Sequence, residues 1–237
     1  MRSKIRKMKI FRKKKRFLSL LIVLCMLVTL MPGQAFAAGG SSGQTAHQKN
    51  PFSDVKTSDW FYDAVQYARA NGFFSGTSVS TFTPDGTMTR GMFVTVLGRM
   101  AGVDASAYGG GTEFTDVAES QYYAPYVRWA AKHGITSGTS KGKFSPDAFI
   151  DRQQMAVFFV RYFEKFNVDY DTGTNITTTP SDIDSVAEYA RDAVMKLWKT
   201  GLLTGNNGKF DPKASATRAQ TATLCMRGDN SVKTWYK

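Results

Sequence analysis

One nine-residue pattern occurs three times in this chain. Phe82 to Arg90 reads F-T-P-D-G-T-M-T-R, Phe144 to Arg152 reads F-S-P-D-A-F-I-D-R, and Phe210 to Arg218 reads F-D-P-K-A-S-A-T-R. Each copy runs from a Phe-x-Pro turn to a Thr or Asp that can cap a helix, then to an Arg that opens one. A self-match at fixed period limits the fold more than composition does. Small units that cannot bury their own apolar faces must pack on one another.

The match extends beyond these stretches. Asp54, Trp60, Gly72, Gly76, Phe82, Pro84 and Arg90 recur 62 positions later as Asp116, Tyr122, Gly134, Gly138, Phe144, Pro146 and Arg152. A more divergent third copy places Asp182, Phe210, Pro212 and Arg218 66 positions further on, and Tyr189, Gly201 and Gly205 67 further on. The repeats are therefore expected at residues 51–101, 113–166 and 179–228. In repeat one, Phe61, Ala64, Val65 and Ala68 predict a first helix, capped by Ser58 or Asp59, started by Trp60 and closed by Asn71-Gly72. Met92, Phe93, Val96, Leu97 and Met100 predict a second, capped by Thr89. The expected fold is mainly α, three helix-loop-helix repeats around a shared core.

The formal charge of +12 invites a nucleic-acid reading, but ten of the 31 Lys and Arg residues lie between residues 2 and 16. Phe17 to Met31 follows without a charge, then Pro32-Gly33 and the small residues of Ala35-Phe36-Ala37. Residues 1–37 read as a signal peptide. A retained anchor is the alternative, but a spanning helix needs about 20 apolar residues. Removing the ten leaves 21 basic against 19 acidic side chains. No nucleic-acid partner is implied, nor a membrane once the leader is cleaved. Residues 38–50 read as a flexible linker. Cys225 is then the sole thiol, so the exported chain does without an internal disulfide.

A helix N-terminus disfavours a cation, yet Arg90, Arg152 and Arg218 stand at one. Free N–H groups beside a guanidinium would suit a carboxylate. Alternatively each Arg pairs with the acid of its own repeat, Asp54, Asp116 or Asp182. Trp60, Tyr122 and Tyr189 share one position and could stack on a sugar ring, although core packing is the commoner use. No catalytic residue, metal site or cofactor is expected. His47 and His133 lack partners at ligand spacing, and residues 138–143 fall one short of a P-loop.

The frame of Phe-x-Asp-Val, an aromatic, Gly-x-x-x-Gly, Phe-x-Pro and Thr-Arg closely resembles the S-layer homology repeat of bacterial envelope proteins, over about residues 52–227. The resemblance implies a pseudo-threefold module with a central helical bundle and grooves between repeats. It implies non-covalent binding to secondary cell-wall polysaccharide, often bearing pyruvate ketals. Arg90, Arg152 and Arg218 would then bind the ketal carboxylate. Asp54, Asp116, Asp182, Trp60, Tyr122 and Tyr189 would shape the sugar site, and Gly76, Gly138 and Gly205 would permit close backbone approach. The family's Thr-Arg-Ala-Glu loses its Glu in all three copies, where Met92, Gln154 and Gln220 stand. Pro180 replaces the opening Phe of repeat three, which makes its groove the one expected to be non-binding. The function so implied is a secreted wall-anchoring module, with a fused or associated enzyme or an S-layer as its further partner. The alternative is the targeting part of a longer exported polysaccharide-active enzyme.

Overall fold

The computed structural model describes residues 50–169 and 171–232. The signal peptide and nearly all of the linker expected from the sequence lie outside them. The described residues hold two helices in each repeat: α1 (Tyr62–Ala70) and α2 (Arg90–Met100), α3 (Ala124–Lys132) and α4 (Arg152–Lys165), α5 (Arg191–Lys199) and α6 (Arg218–Ser231). Short 3-10 turns occupy Ala105–Tyr108, Ile183–Ser185 and Glu188–Ala190. The fold is mainly α, as the periodicity indicated.

The second helices start where their caps dictate. Thr89 Oγ1 accepts from the Met92 N–H at 3.2 Å, Asp151 Oδ1 from Gln154 at 2.7 Å and Thr217 Oγ1 from Gln220 at 3.2 Å. Each bond satisfies one of the free donors of a first turn. The first helices end on glycines with φ of 73°, 69° and 67° at Gly72, Gly134 and Gly201. Their starts differ from expectation. Neither Ser58 nor Asp59 caps α1, whose N-cap is Phe61 without a side-chain bond. Trp60 and Tyr122 precede their helices, and Tyr189 lies in the 3-10 turn before α5.

Helices of one repeat are not principal partners. The closest pairings are α1 with α6, α3 with α2, and α5 with α4. Each second helix thus packs on the first helix of the following repeat, with repeat three followed by repeat one. The second helices also meet: α2 touches α4 and α6, and Thr221 Oγ1 on α6 donates to Met155 Sδ on α4 at 3.7 Å. Their inward residues, including Phe93, Leu97, Phe159, Leu224 and Cys225, are fully buried.

Backbone bonds run in the same cyclic order. The Met88 N–H donates to Ala216 O (2.9 Å), Ala216 N–H to Ile150 O (2.9 Å), and Ile150 N–H to Met88 O (3.0 Å). Buried amides need partners. Here each repeat finds them on a neighbour, so the segment between turn and helix is completed only when all three are present.

Candidate functional site

The Phe-x-Pro turns bend through their middle residues. Thr83, Ser145 and Asp211 have φ of 56°, 57° and 54°, a region costly for residues with a Cβ. The acid of the same repeat holds each turn there. Asp54 accepts from the N–H groups of Phe82 (2.8 Å) and Thr83 (2.7 Å), Asp116 from Phe144 (2.9 Å) and Ser145 (2.8 Å), Asp182 from Phe210 and Asp211 (both 2.8 Å). Burial works against the Asp116 and Asp182 carboxylates, but these backbone donors outweigh it, and both pKa values are lowered.

The anchored turn receives an arginine from the preceding repeat. Arg90 Nε donates to Phe144 O at 2.9 Å, Arg152 Nε to Phe210 O at 2.8 Å and Arg218 Nε to Phe82 O at 2.7 Å. The guanidiniums lie over the same phenylalanine rings, 4.8, 4.9 and 4.6 Å from the centroids, where a cation is attracted to the π face. All three residues are buried, and burial lowers each pKa. Pairing of each Arg with its own repeat's acid is therefore overturned. The acids that support each electrostatically belong to the next repeat: Asp151 and then Asp116 for Arg90, Asp211 and then Asp182 for Arg152, Asp54 for Arg218.

The expected free amides at these helix starts are also corrected. Arg90, Arg152 and Arg218 N–H donate to Ala148, Ala214 and Gly86 carbonyls at 3.0 Å or less. Gly91, Gln153 and Ala219 N–H donate to Pro146, Pro212 and Pro84 carbonyls in the same way. The next repeat's carbonyls occupy the positive helix end, which explains how an arginine is tolerated there. What remains for an anion is guanidinium. Arg152 and Arg218 use Nη2 on Thr204 O (2.8 Å) and Ser75 O (2.9 Å), leaving Nη1 without a protein partner among the described residues. Arg90 differs: Nη1 meets Gln154 Oε1 at 3.2 Å, and Nη2 is buried without a partner.

The aromatics fare otherwise. Trp60, Tyr122 and Tyr189 are 68%, 55% and 57% exposed, so core packing is ruled out for them. The residue after each takes the core instead: Phe61, Tyr123 and Ala190 are buried. Trp60 lines a groove of about 510 Å³ with Arg152, Gly205, Asp211, Gln220 and Arg227. One expected residue comes from each repeat: Trp60 from the first, Arg152 from the second, Gly205 from the third. Tyr122 lies within electrostatic reach of Arg218, and Tyr189 of Arg90. Partial burial raises both phenol pKa values, so they remain hydrogen-bond donors at neutral pH.

The glycines do allow close approach, but by the protein itself. A Cβ on Gly76 would lie 2.3 Å from Ser78 O, on Gly138 2.3 Å from Lys143 O, and on Gly205 1.5 Å from Lys209 O. Pro180 is buried like the phenylalanines it replaces, and Ser181 N–H still donates to Gly208 O at 2.8 Å. The turn of repeat three keeps its form and builds the Trp60 groove. The missing Glu has also been partly replaced: Gln220 Oε1 accepts from the Thr217 N–H at 3.3 Å, closing a capping box. Sequence reasoning missed Gln220 and Arg227 as groove residues and Gln154 as the partner of Arg90, since these roles depend on contacts between repeats. Among the described residues no group of His, Cys, Asp or Glu could hold a metal ion, and no helix is long and apolar enough to cross a membrane.

A family model described as S-layer homology domain matches residues 51–91, 113–156 and 181–222. The chain is similar to an endoglucanase of Bacillus sp. (strain KSM-635), 31% identical over 211 residues, 89% of this chain and 22% of that protein. It is similar to an amylopullulanase of Thermoanaerobacterium thermosulfurigenes, 30% identical over 174 residues, 73% of this chain and 9% of that protein. It is also similar to the S-layer protein sap of Bacillus anthracis, 26% identical over 202 residues, 84% of this chain and 24% of that protein. The chain thus spans no more than 24% of the length of these relatives.

Proposed function

The chain belongs to the S-layer homology domain family, and from that premise we propose that it is a wall-anchoring module that binds secondary cell-wall polysaccharide non-covalently. The family and the S-layer relatives indicate a secreted, cell-surface location. The observation that carries the binding reading is the groove where exposed Trp60 and buried Arg152 meet across repeats. An indole ring offers a flat surface to the C–H face of a sugar. The free Nη1 of a desolvated guanidinium offers a charged hydrogen bond to a carboxylate, such as that of a pyruvate ketal. Trp60 with Arg152 and Tyr122 with Arg218 are assigned as pairs with a free Nη1, and Tyr189 with Arg90 as a third in which Gln154 already holds Nη1. Asp54, Asp116, Asp182, Gly76, Gly138 and Gly205 act by fixing the turns that receive the arginines. The reading gives the chain no reaction of its own.

Residues 1–37 are proposed as a signal peptide and 38–50 as a linker; N-terminal sequencing of secreted protein should find Ala38 first. We read the repeats, 51–101, 113–166 and 179–228, as related by a pseudo-threefold axis, which the cyclic order of backbone bonds supports. A second reading, the targeting part of a longer exported polysaccharide-active enzyme, is favoured by the endoglucanase and amylopullulanase relatives. Sequencing the gene past the Lys237 codon decides between them.

Cosedimentation with purified walls tests the binding reading. The wild type should pellet with intact walls, less with walls lacking pyruvylation, and not with walls stripped of polysaccharide. Equal pelleting with stripped walls would sink it.

A further inference from the structure

The Trp60 groove does not end at Arg227. A second cavity, also about 510 Å³, shares Leu202, Thr204 and Arg227 with it and continues to Thr172, Thr174 and Asn230. One wall comes from the spacer before repeat three, which lies outside the repeated frame. That wall is tied down: Thr172 Oγ1 donates to Thr200 O at 2.5 Å, and the Ile176 N–H to Lys199 O at 2.8 Å. The other wall is the last turn of α6, carrying Asn230.

We propose that this second cavity is a subsite for the adjoining, uncharged sugar unit of the same polymer, a proposal that rests on the polysaccharide reading of the Trp60 groove. Its lining has the chemistry of a sugar contact, a ring of hydroxyl and amide groups over the apolar side chains of Leu202 and Met226. The Asn230 carboxamide and the Thr174 hydroxyl have no protein hydrogen bond among the described residues, so both can serve a ligand. Asp171 and Arg227 bring one charge of each sign, which favours a neutral unit over a second ketal. A polymer seated on Trp60 must continue somewhere, and the shared wall makes this cavity continuous with that seat.

Isothermal titration tests the subsite with two probes, the terminal monosaccharide released from the wall polymer and a longer oligosaccharide from the same source. The full secreted chain is expected to bind the longer probe about tenfold more tightly, the equivalent of one or two net hydrogen bonds. Asn230→Ala and Thr174→Ala sit on different elements, and thermal unfolding checks that each variant folds. Each should lose most of that gain while binding the monosaccharide like wild type. Equal affinity of wild type for both probes, or an undiminished gain in both variants, would overturn the subsite alone. Binding of neither probe by wild type would overturn the polysaccharide reading beneath it.

Discussion

At the scale of single residues, the arginines are both framework and candidate ligand contacts, and this decides which substitutions are informative. Arg152→Ala would strip Phe210 O and Thr204 O of their charged donors. Urea unfolding should show a loss of about 3–5 kcal/mol, by analogy with breaking a buried charged contact. Arg152→Lys should recover little, because an ammonium cannot reproduce the fork. Lost wall binding in an arginine variant is therefore read only after its fold is verified. The exposed aromatics are cleaner probes: changing Trp60, Tyr122 and Tyr189 together to Ala should leave thermal unfolding nearly unchanged and weaken wall binding by more than about tenfold. The turn acids give a pH signature. Asp116 and Asp182 have lowered folded pKa values, so their stabilisation is complete above the unfolded value of about 3.9 and lost as pH falls through the folded one. Asp116→Asn should lower stability at neutral pH and flatten its decline on acidification, as measured by denaturant midpoints against pH. The repeat spacing revealed all of these positions. It could not say which repeat each side chain enters, because equivalence along a chain carries no information about neighbours across it.

At the scale of elements, helix type and the second-helix caps were legible, since Thr89, Asp151 and Thr217 stand before apolar runs at helical spacing. The starts of the first helices were not. The spacing puts Trp60 at the first helical position, whereas the chain turns through it and gives the buried position to Phe61. An aromatic one residue from an apolar stripe looks the same in sequence whether it faces the core or solvent. Nor could sequence show that the helix pairs form between repeats. The close crossings leave a trace in glycines: a Cβ on Gly98 of α2 would lie 2.4 Å from the Tyr126 ring of α3, and one on Gly228 of α6 2.3 Å from the Phe159 ring of α4. Gly228→Ala should therefore cost about 1–3 kcal/mol by overpacking, despite alanine's better helix propensity. A variant as stable as wild type in chemical denaturation would show that these helices can separate at no cost.

At the scale of the molecule, the cyclic order makes stability indivisible. The first and last helices are partners, joined also by Tyr67 Oη donating to Asp229 Oδ2 at 2.7 Å across 162 residues of chain. A chain lacking residues 180–232 should lose the partners of α1 and α4 and show no cooperative thermal transition by circular dichroism, whereas independent repeats would retain most of their signal. The shared core was foreseeable from repeats too small to fold alone, but the closure that builds the Trp60 groove from three repeats was not. That closure is central, because it sets an exposed aromatic of one repeat beside the anchored arginine of another. The most direct test is a crystal structure of the secreted chain soaked with a pyruvylated wall-polymer fragment. The account predicts a sugar ring on Trp60 with its ketal carboxylate within hydrogen-bonding distance of Arg152 Nη1. Ligand density confined to a surface away from Trp60, Tyr122 and Tyr189 would contradict it.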